Sequence, residues 1–233
     1  DLATGNRGAD RISELEIFLS TGRGEFESIG SYPAGVRISS VVAAAFDGDR
    51  DYDIITVDSD RLFFFWNRGD GTFSSEQSIE LPRFSRSIQA ADFDGDGAID
   101  VVVSNTREDS VFVFFNRVAT DGTFTSPVQY AVQDQPQPLR VADLDLDGDV
   151  DLVVANERSL TLSILFNDGG GGFNAQRTVP TDEDLRCVEV SDIDGDGAFE
   201  LVAGGSSSLK IWRGDGAGLF DAPESFSVSV GLI

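Results

Sequence analysis

The chain has 233 residues, enough for one large domain or two small ones with a core to bury. Lys and Arg number 17 against 41 Asp and Glu, a formal net charge of −24, which argues against nucleic-acid binding or an anionic-lipid surface. No apolar run approaches the roughly 18 residues that suggest a membrane span, so membrane insertion is not expected, and the absence of His excludes His-based triads and His-ligated zinc.

In chain order, the first segment is Asp1-Leu2-Ala3-Thr4-Gly5-Asn6, with neither a basic n-region nor an apolar h-region. It lines up with Asp151-Leu152-Val153-Val154-Ala155-Asn156, which makes Asp1 the ninth position of a truncated loop. The chain also lacks Met, as expected of a processed product or a piece of a longer polypeptide. A Gly-rich turn ending in Phe recurs at Phe26, Phe73, Phe124, Phe173 and Phe220. From each of the first four, 19 residues lead to the start of an acidic loop, at Ala45, Asp92, Asp143 and Asp192. The loops end at Asp53, Asp100, Asp151 and Glu200, separated by 47, 51 and 49 residues. Constant spacing in one stretch and variable spacing elsewhere marks a repeat whose insertions fall in one loop.

Strand periodicity fills each repeat. Ser87–Ala91 leads into the acidic loop, Val101–Val103 follows it, Ser110–Asn116 comes next, and Phe124–Val132 follows the turn. Val101–Val103 and Val111–Phe115 are apolar on both faces, as strands buried between neighbouring sheets require. The fold predicted is all-β, a β-propeller of about five four-stranded blades in a single domain or propeller segment. Its repeats run over approximately 1–38, 39–85, 86–136, 137–184 and 185–233. Leu62-Phe63-Phe64-Phe65-Trp66 reads as blade core rather than a ligand platform. Arg68-Gly69-Asp70 and Arg213-Gly214-Asp215 read as hairpin turns rather than adhesive tripeptides. Cys187 lies in an alternating stretch, Leu185–Val190, that predicts a strand and a buried thiol.

The acidic loops carry the chemistry. Oxygen ligands at positions 1, 3, 5 and 9 of nine, with Gly at 6 for a sharp turn, make a cage for a hard divalent cation. In the second loop these are Asp92, Asp94, Asp96 and Asp100, with the Ala98 carbonyl at position 7. Calcium suits so many carboxylates better than magnesium, and no soft or imidazole ligand favours zinc. An EF-hand is excluded, because its position 12 would be Val103, Val154 or Ala203 inside a strand. The first loop has Ala45 at position 1 and Arg50 in place of the Gly, so it loses a carboxylate, and Arg50 is expected to be pushed toward positive φ.

The Asp-x-Asp-x-Asp-Gly-x-x-Asp motif followed by a short apolar strand resembles the FG-GAP or VCBS-type repeat of integrin α-subunit propellers, bacterial surface proteins and fungal lectins. The resemblance implies calcium loops between the first and second strands of each blade. It carries the ligand roles to Asp143, Asp145, Asp147, Asp149 and Asp151, and to Asp192, Asp194, Asp196, Ala198 and Glu200, with position 7 acting through its carbonyl. Three strong Ca²⁺ sites are expected, and at Asp47, Asp49, Asp51 and Asp53 either a weaker one or partial substitution of the ion by Arg50.

By the same spacing, the loop after Phe220 falls beyond Ile233. The expectation is therefore a segment of a larger ring, such as the seven-bladed rings of this family, or a strand supplied from elsewhere, for instance by a neighbouring subunit. No catalytic constellation stands out. The function expected is an extracellular or cell-surface, calcium-stabilised binding, adhesion or scaffold module for a protein or carbohydrate ligand. Its alternatives are a structural subunit of a surface assembly completed by strand sharing, and a blade section of a polysaccharide-active, lyase-like enzyme.

Overall fold

The computed structural model describes residues 2–7, 13–117 and 123–228. Among these residues every regular element is a strand. The first sheet is β1 (Leu2–Arg7), β2 (Ser13–Ser20) and β3 (Phe26–Pro33). Four four-stranded meanders follow. They are β4 (Ser40–Ala44), β5 (Asp53–Val57), β6 (Arg61–Asn67) and β7 (Phe73–Glu80); then β8 (Ser85–Ala91), β9 (Asp100–Asn105), β10 (Ser110–Phe114) and β11 (Val128–Ala131). The third comprises β12 (Pro136–Ala142), β13 (Asp151–Asn156), β14 (Thr161–Leu165) and β15 (Arg177–Pro180); the last comprises β16 (Cys187–Ser191), β17 (Glu200–Gly204), β18 (Ser208–Trp212) and β19 (Glu224–Ser227). All pairings are antiparallel between consecutive strands.

The four hydrophobic cores lie between consecutive sheets, which makes the architecture radial. Ile55, Val57, Leu62 and Phe64 pack on Ile88, Val101, Val103 and Phe114, whereas Val102 and Val113 face Leu152 and Val154 of the next sheet. Val153 and Ala155 then face Val188, Leu201 and Trp212. A strand sandwiched on both faces must be apolar at every position, which is why β9 and β13 carry unbroken aliphatic runs. Leu62–Trp66 is divided in the same way, with Leu62 and Phe64 in one core and Phe65 in the other. The first strands β4, β8, β12 and β16 neighbour one another in that order and surround a common axis. The sheets are propeller blades.

The first sheet has three strands among the described residues and lacks the innermost one, as the alignment of Leu2–Asn6 with the second strand Leu152–Asn156 implies. Two expectations change. The fourth strand of the third blade starts at Val128 rather than Phe124: Phe124 makes only an isolated bridge to Asn116, and Pro127, with no N–H to give, interrupts the ladder. Cys187 is exposed rather than buried. It shares its face of β16 with Glu189 and Ser191, while Val188 points into the core. Asp1, the Asp121-Gly122 turn and residues 229–233 lie outside the described residues. No helix among the described residues is long and apolar enough to cross a membrane.

Candidate functional site

Each acidic loop links the first strand of a blade to the second, as the repeat implies. Its last residue opens the second strand and is fully buried at Asp53, Asp100 and Asp151, and nearly so at Glu200. That carboxylate clamps backbone. Asp100 Oδ2 accepts the N–H of Phe93, at loop position 2, at 2.8 Å, and Oδ1 accepts that of Asn116, at the end of the third strand, at 2.7 Å. Asp151 does the same for Leu144 and Asn167, both at 2.9 Å, and Asp53 for Phe46 at 3.0 Å and Asn67 at 2.9 Å. Glu200 holds Ile193 N at 2.7 Å. Burial is the main cause that raises Asp100 to about 7 and Asp151 and Asp53 to about 6, against the lowering effect of these N–H donors.

The position-1 carboxylate folds the loop around itself. Asp92 accepts from Gly95 N at 2.8 Å and Gly97 N at 2.9 Å, and Asp192 from Gly195 N at 2.7 Å and Gly197 N at 3.1 Å. Asp143 accepts from Asp147 N at 3.1 Å and Gly148 N at 3.0 Å. Gly97, Gly148 and Gly197 at position 6 have φ of 90°, 100° and 94°, a conformation glycine adopts without steric cost. Position 5 in turn accepts the N–H of position 7: Asp96 from Ala98 at 2.8 Å, Asp147 from Asp149 at 2.9 Å and Asp196 from Ala198 at 2.8 Å. In the first loop Ala45 cannot take the first part, and Asp47 Oδ1 instead accepts from Asp49 N at 3.1 Å. Arg50 does not have the positive φ expected of it; the non-glycine loop residue that does is Leu146, at 58°. Without a position-1 acceptor nothing draws the position-6 N–H inward, so the chain takes a route open to arginine.

Position 3 differs from both. Asp94 Oδ1 and Asp145 Oδ1 are buried and have no hydrogen-bond partner. Their burial comes from the following blade. Gly171 (φ 79°) and Gly218 (φ 72°), in the turns before Phe173 and Phe220, lie over Asp94 and Asp145, and a Cβ on either would strike the ring of Phe115 or Phe166 at 2.5 and 2.6 Å. This accounts for the second repeating landmark: the Gly-rich turn of one blade closes over the acidic loop of the blade before it. Burial first, and a neighbouring carboxylate second, push Asp94 and Asp145 above the usual carboxylate range.

Carboxylate oxygens converge within 4.8 Å in three groups: Asp92, Asp94 and Asp96; Asp143, Asp145 and Asp151; Asp192, Asp194 and Glu200. Asp100, Asp147, Asp149 and Asp196 stand outside these groups, and among the described residues Asp47, Asp49, Asp51 and Asp53 form no such group. Ala98 and Ala198 are buried beneath their loops. In the two Arg-Gly-Asp segments the acids serve their turns: Asp70 Oδ1 accepts from Thr72 N at 2.9 Å, and Asp215 Oδ1 from Ala217 N and Leu219 N at 2.8 and 2.9 Å. Arg213 pairs with Asp194 at 2.5 Å and Glu224 at 3.1 Å.

Sequence reasoning missed the asparagines. Asn116 Nδ2 reaches Phe46 O in the preceding blade's loop at 2.6 Å, and Asn167 Nδ2 reaches Phe93 O at 2.8 Å. Their own N–H groups lie on Asp100 and Asp151, so one hydrogen-bonded chain runs Asp53, Phe46, Asn116, Asp100, Phe93, Asn167, Asp151. The signal was the recurrence of Asn67, Asn116 and Asn167 just before each Gly-rich turn. Gly214 takes that place in the last blade, pairing with Phe220 as Asn167 pairs with Phe173. A Cβ at Gly214 would lie 2.3 Å from Phe199 O, so the backbones have closed where the amide would sit.

Known proteins place this geometry. The chain superposes on a functionally unknown protein from Desulfotomaculum acetoxidans with a TM-score of 0.71 at 15% identity, over 94% of this chain and 64% of that one. It matches a protein from Bacteroides uniformis named as a candidate 6-phosphogluconolactonase with a TM-score of 0.71 at 16% identity, over 97% and 70%. A lectin from Agrocybe aegerita, described as recognising non-reducing terminal N-acetylglucosamine, gives 0.52 at 16% identity, over 96% and 79%. The chain thus spans 64% of the length of the Desulfotomaculum protein. At these identities the likeness is one of fold. No curated protein sequence matches significantly. The family model for FG-GAP-like repeats matches three times, at residues 46–103, 92–154 and 143–203, together more than half of the chain. The chain belongs to the FG-GAP-like repeat family.

Proposed function

We propose that the chain is an extracellular, calcium-stabilised β-propeller that serves as a binding, adhesion or scaffold module for a protein or glycan ligand. The observation that carries the calcium reading is the pair of buried, unpartnered oxygens, Asp94 Oδ1 and Asp145 Oδ1, each inside a cluster of like charges. A buried carboxylate oxygen with no donor is costly, and a divalent cation removes that cost together with the repulsion between neighbours. The donors are all oxygen, which suits a hard cation.

The residues that would hold the ions are Asp92, Asp94, Asp96 and Asp100 with the Ala98 carbonyl; Asp143, Asp145, Asp147 and Asp151 with the Asp149 carbonyl; and Asp192, Asp194, Asp196 and Glu200 with the Ala198 carbonyl. The oxygens at positions 1, 5 and 9 that accept backbone N–H groups retain a second lone pair for a cation. Bound calcium supplies charge neutralisation and a cross-link within the loop. The loop of Asp47, Asp49, Asp51 and Asp53 is the weakest, because Ala45 leaves it without a position-1 carboxylate and its carboxylate oxygens do not converge among the described residues. An extracellular setting supplies the calcium such modules need.

Isothermal titration tests the calcium reading: three sites are expected in the parent chain and two in D145N, and four equal sites or none would contradict it. A glycan array with and without calcium tests the ligand class.

A further inference from the structure

The acidic loops leave the C-terminal ends of the first strands. At the other ends of the same strands, where β4, β8 and β12 begin around the axis, lies an open cleft of about 340 Å³. Its polar lining is Arg37 and Arg86, the serines Ser39, Ser40 and Ser87, and Gln137. The two mouths of the axis are thus chemically opposite. One is ringed by carboxylates and the other carries arginines, at a distance of roughly 15–20 Å along a strand of five to seven residues.

Two features bear on the chemistry of this cleft. Neither Arg37 nor Arg86 has an ion pair or a side-chain hydrogen bond among the described residues, in a chain where acids outnumber bases 41 to 17. The hydroxyls of Ser39, Ser40 and Ser87 likewise have no partner among the described residues. Arg140, further along β12, shows the contrast: its fork grips Glu189 at 2.9 and 2.5 Å, and it also donates to Leu139 O at 2.8 Å. Seven of the cationic side chains form ion pairs among the described residues, whereas Arg37 and Arg86, which share a cleft whose lining holds no carboxylate, form none and are free for an outside anion.

We propose that this cleft is an anion site for a tetrahedral oxyanion, a sulfate or phosphate group, free or as an ester. Planar guanidinium forks from two blades approach such a group from two sides, and the serine hydroxyls donate to its remaining oxygens. A carboxylate offers too few acceptors to use both forks and three hydroxyls. The site stands apart from the calcium loops and does not depend on them.

The test is calorimetric titration of the full chain with sodium sulfate and with galactose 6-sulfate, at constant ionic strength. The expected result is one saturable site, weakened at least about tenfold in R37Q/R86Q, since each charge-assisted contact is of that order. Affinity should be unchanged in D145N, which separates this site from the calcium reading. Stronger binding of the ester than of the ion would assign the group to a conjugate, and equal binding to the free ion. Should the double variant fail to fold, R86K keeps the charge and loses the fork, and a several-fold loss is expected. Absence of saturable sulfate binding, or wild-type affinity in both sets of variants, would overturn the proposal.

Discussion

The loop Ala45–Asp53 and the loop Asp143–Asp151 occupy equivalent places in their blades, and only part of their chemistry is shared. Both end in a fully buried aspartate that clamps two backbone N–H groups, Asp53 on Phe46 and Asn67, Asp151 on Leu144 and Asn167. Only the second has a carboxylate at position 1, a glycine of positive φ at position 6 and an unpartnered buried oxygen at position 3. The ninth position therefore clamps the blade with or without an ion, and Asp151 in addition belongs to its carboxylate cluster, while the features at positions 1, 3 and 6 belong to the cage alone. The clamp can exist without the cage.

The largest expected effect tests the shared part. D100A leaves the N–H groups of Phe93 and Asn116 unsatisfied in the core and should cost about 3 kcal/mol in EDTA, measured by urea denaturation. D53A should cost a similar amount. A much smaller loss in D53A would break the comparison, because the clamp would then depend on a functioning cage.

Next are the asparagines that join blades. N116A and N167A each remove a buried amide from a carbonyl of the preceding loop, a loss of about 1.5 kcal/mol by the same assay. Gly214 sharpens the point. G214A should destabilise although it removes no hydrogen bond, since its Cβ meets Phe199 O at 2.3 Å. A neutral G214A would mean that the last blade is not closed as described.

A smaller effect concerns pH. Without metal, Asp100 at about 7 and Asp53 and Asp151 at about 6 lie above the ordinary 3.8, so between about pH 4 and 7 the folded chain binds more protons than the unfolded one. Stability in EDTA therefore falls as pH rises through that window. Calcium favours the ionised loops, and the fall should flatten; urea midpoints at pH 5 and 7.5 with and without calcium measure both. The smallest change in stability in EDTA is expected from repairing the first loop. A45D/R50G supplies the missing position-1 carboxylate and position-6 glycine, and calorimetry should count one more calcium than in the parent chain. An unchanged count would show that more than these two positions disables the loop.

Much of the fold was legible in the sequence because the repeat is rigid where it matters. The 19 residues from each Phe to the next acidic loop span the fourth strand of one blade and the first of the next, and the spacing is the same in all four copies. The apolar runs Val101–Val103 and Leu152–Ala155 announced strands buried on both faces. The exposure of Cys187 was readable and overlooked, since it shares parity with Glu189. Other features need three dimensions. Asn116 and Phe46 are 70 residues apart, and no local pattern links them. Arg50 was expected at positive φ because position 6 was taken to set its own conformation, whereas the carboxylate at position 1 sets it. The anion cleft gathers Arg37, Arg86 and Gln137 from three blades, and their spacing follows no motif.

The central claim is that the three carboxylate clusters are calcium cages on which the propeller's stability rests. Differential scanning calorimetry of the full chain in millimolar calcium and in EDTA tests it most directly. A cation at a hundredfold excess over its dissociation constant contributes about 2.7 kcal/mol per site, so the melting temperature should rise by roughly 10 °C or more with calcium. An identical melting temperature in calcium and in EDTA would contradict the account.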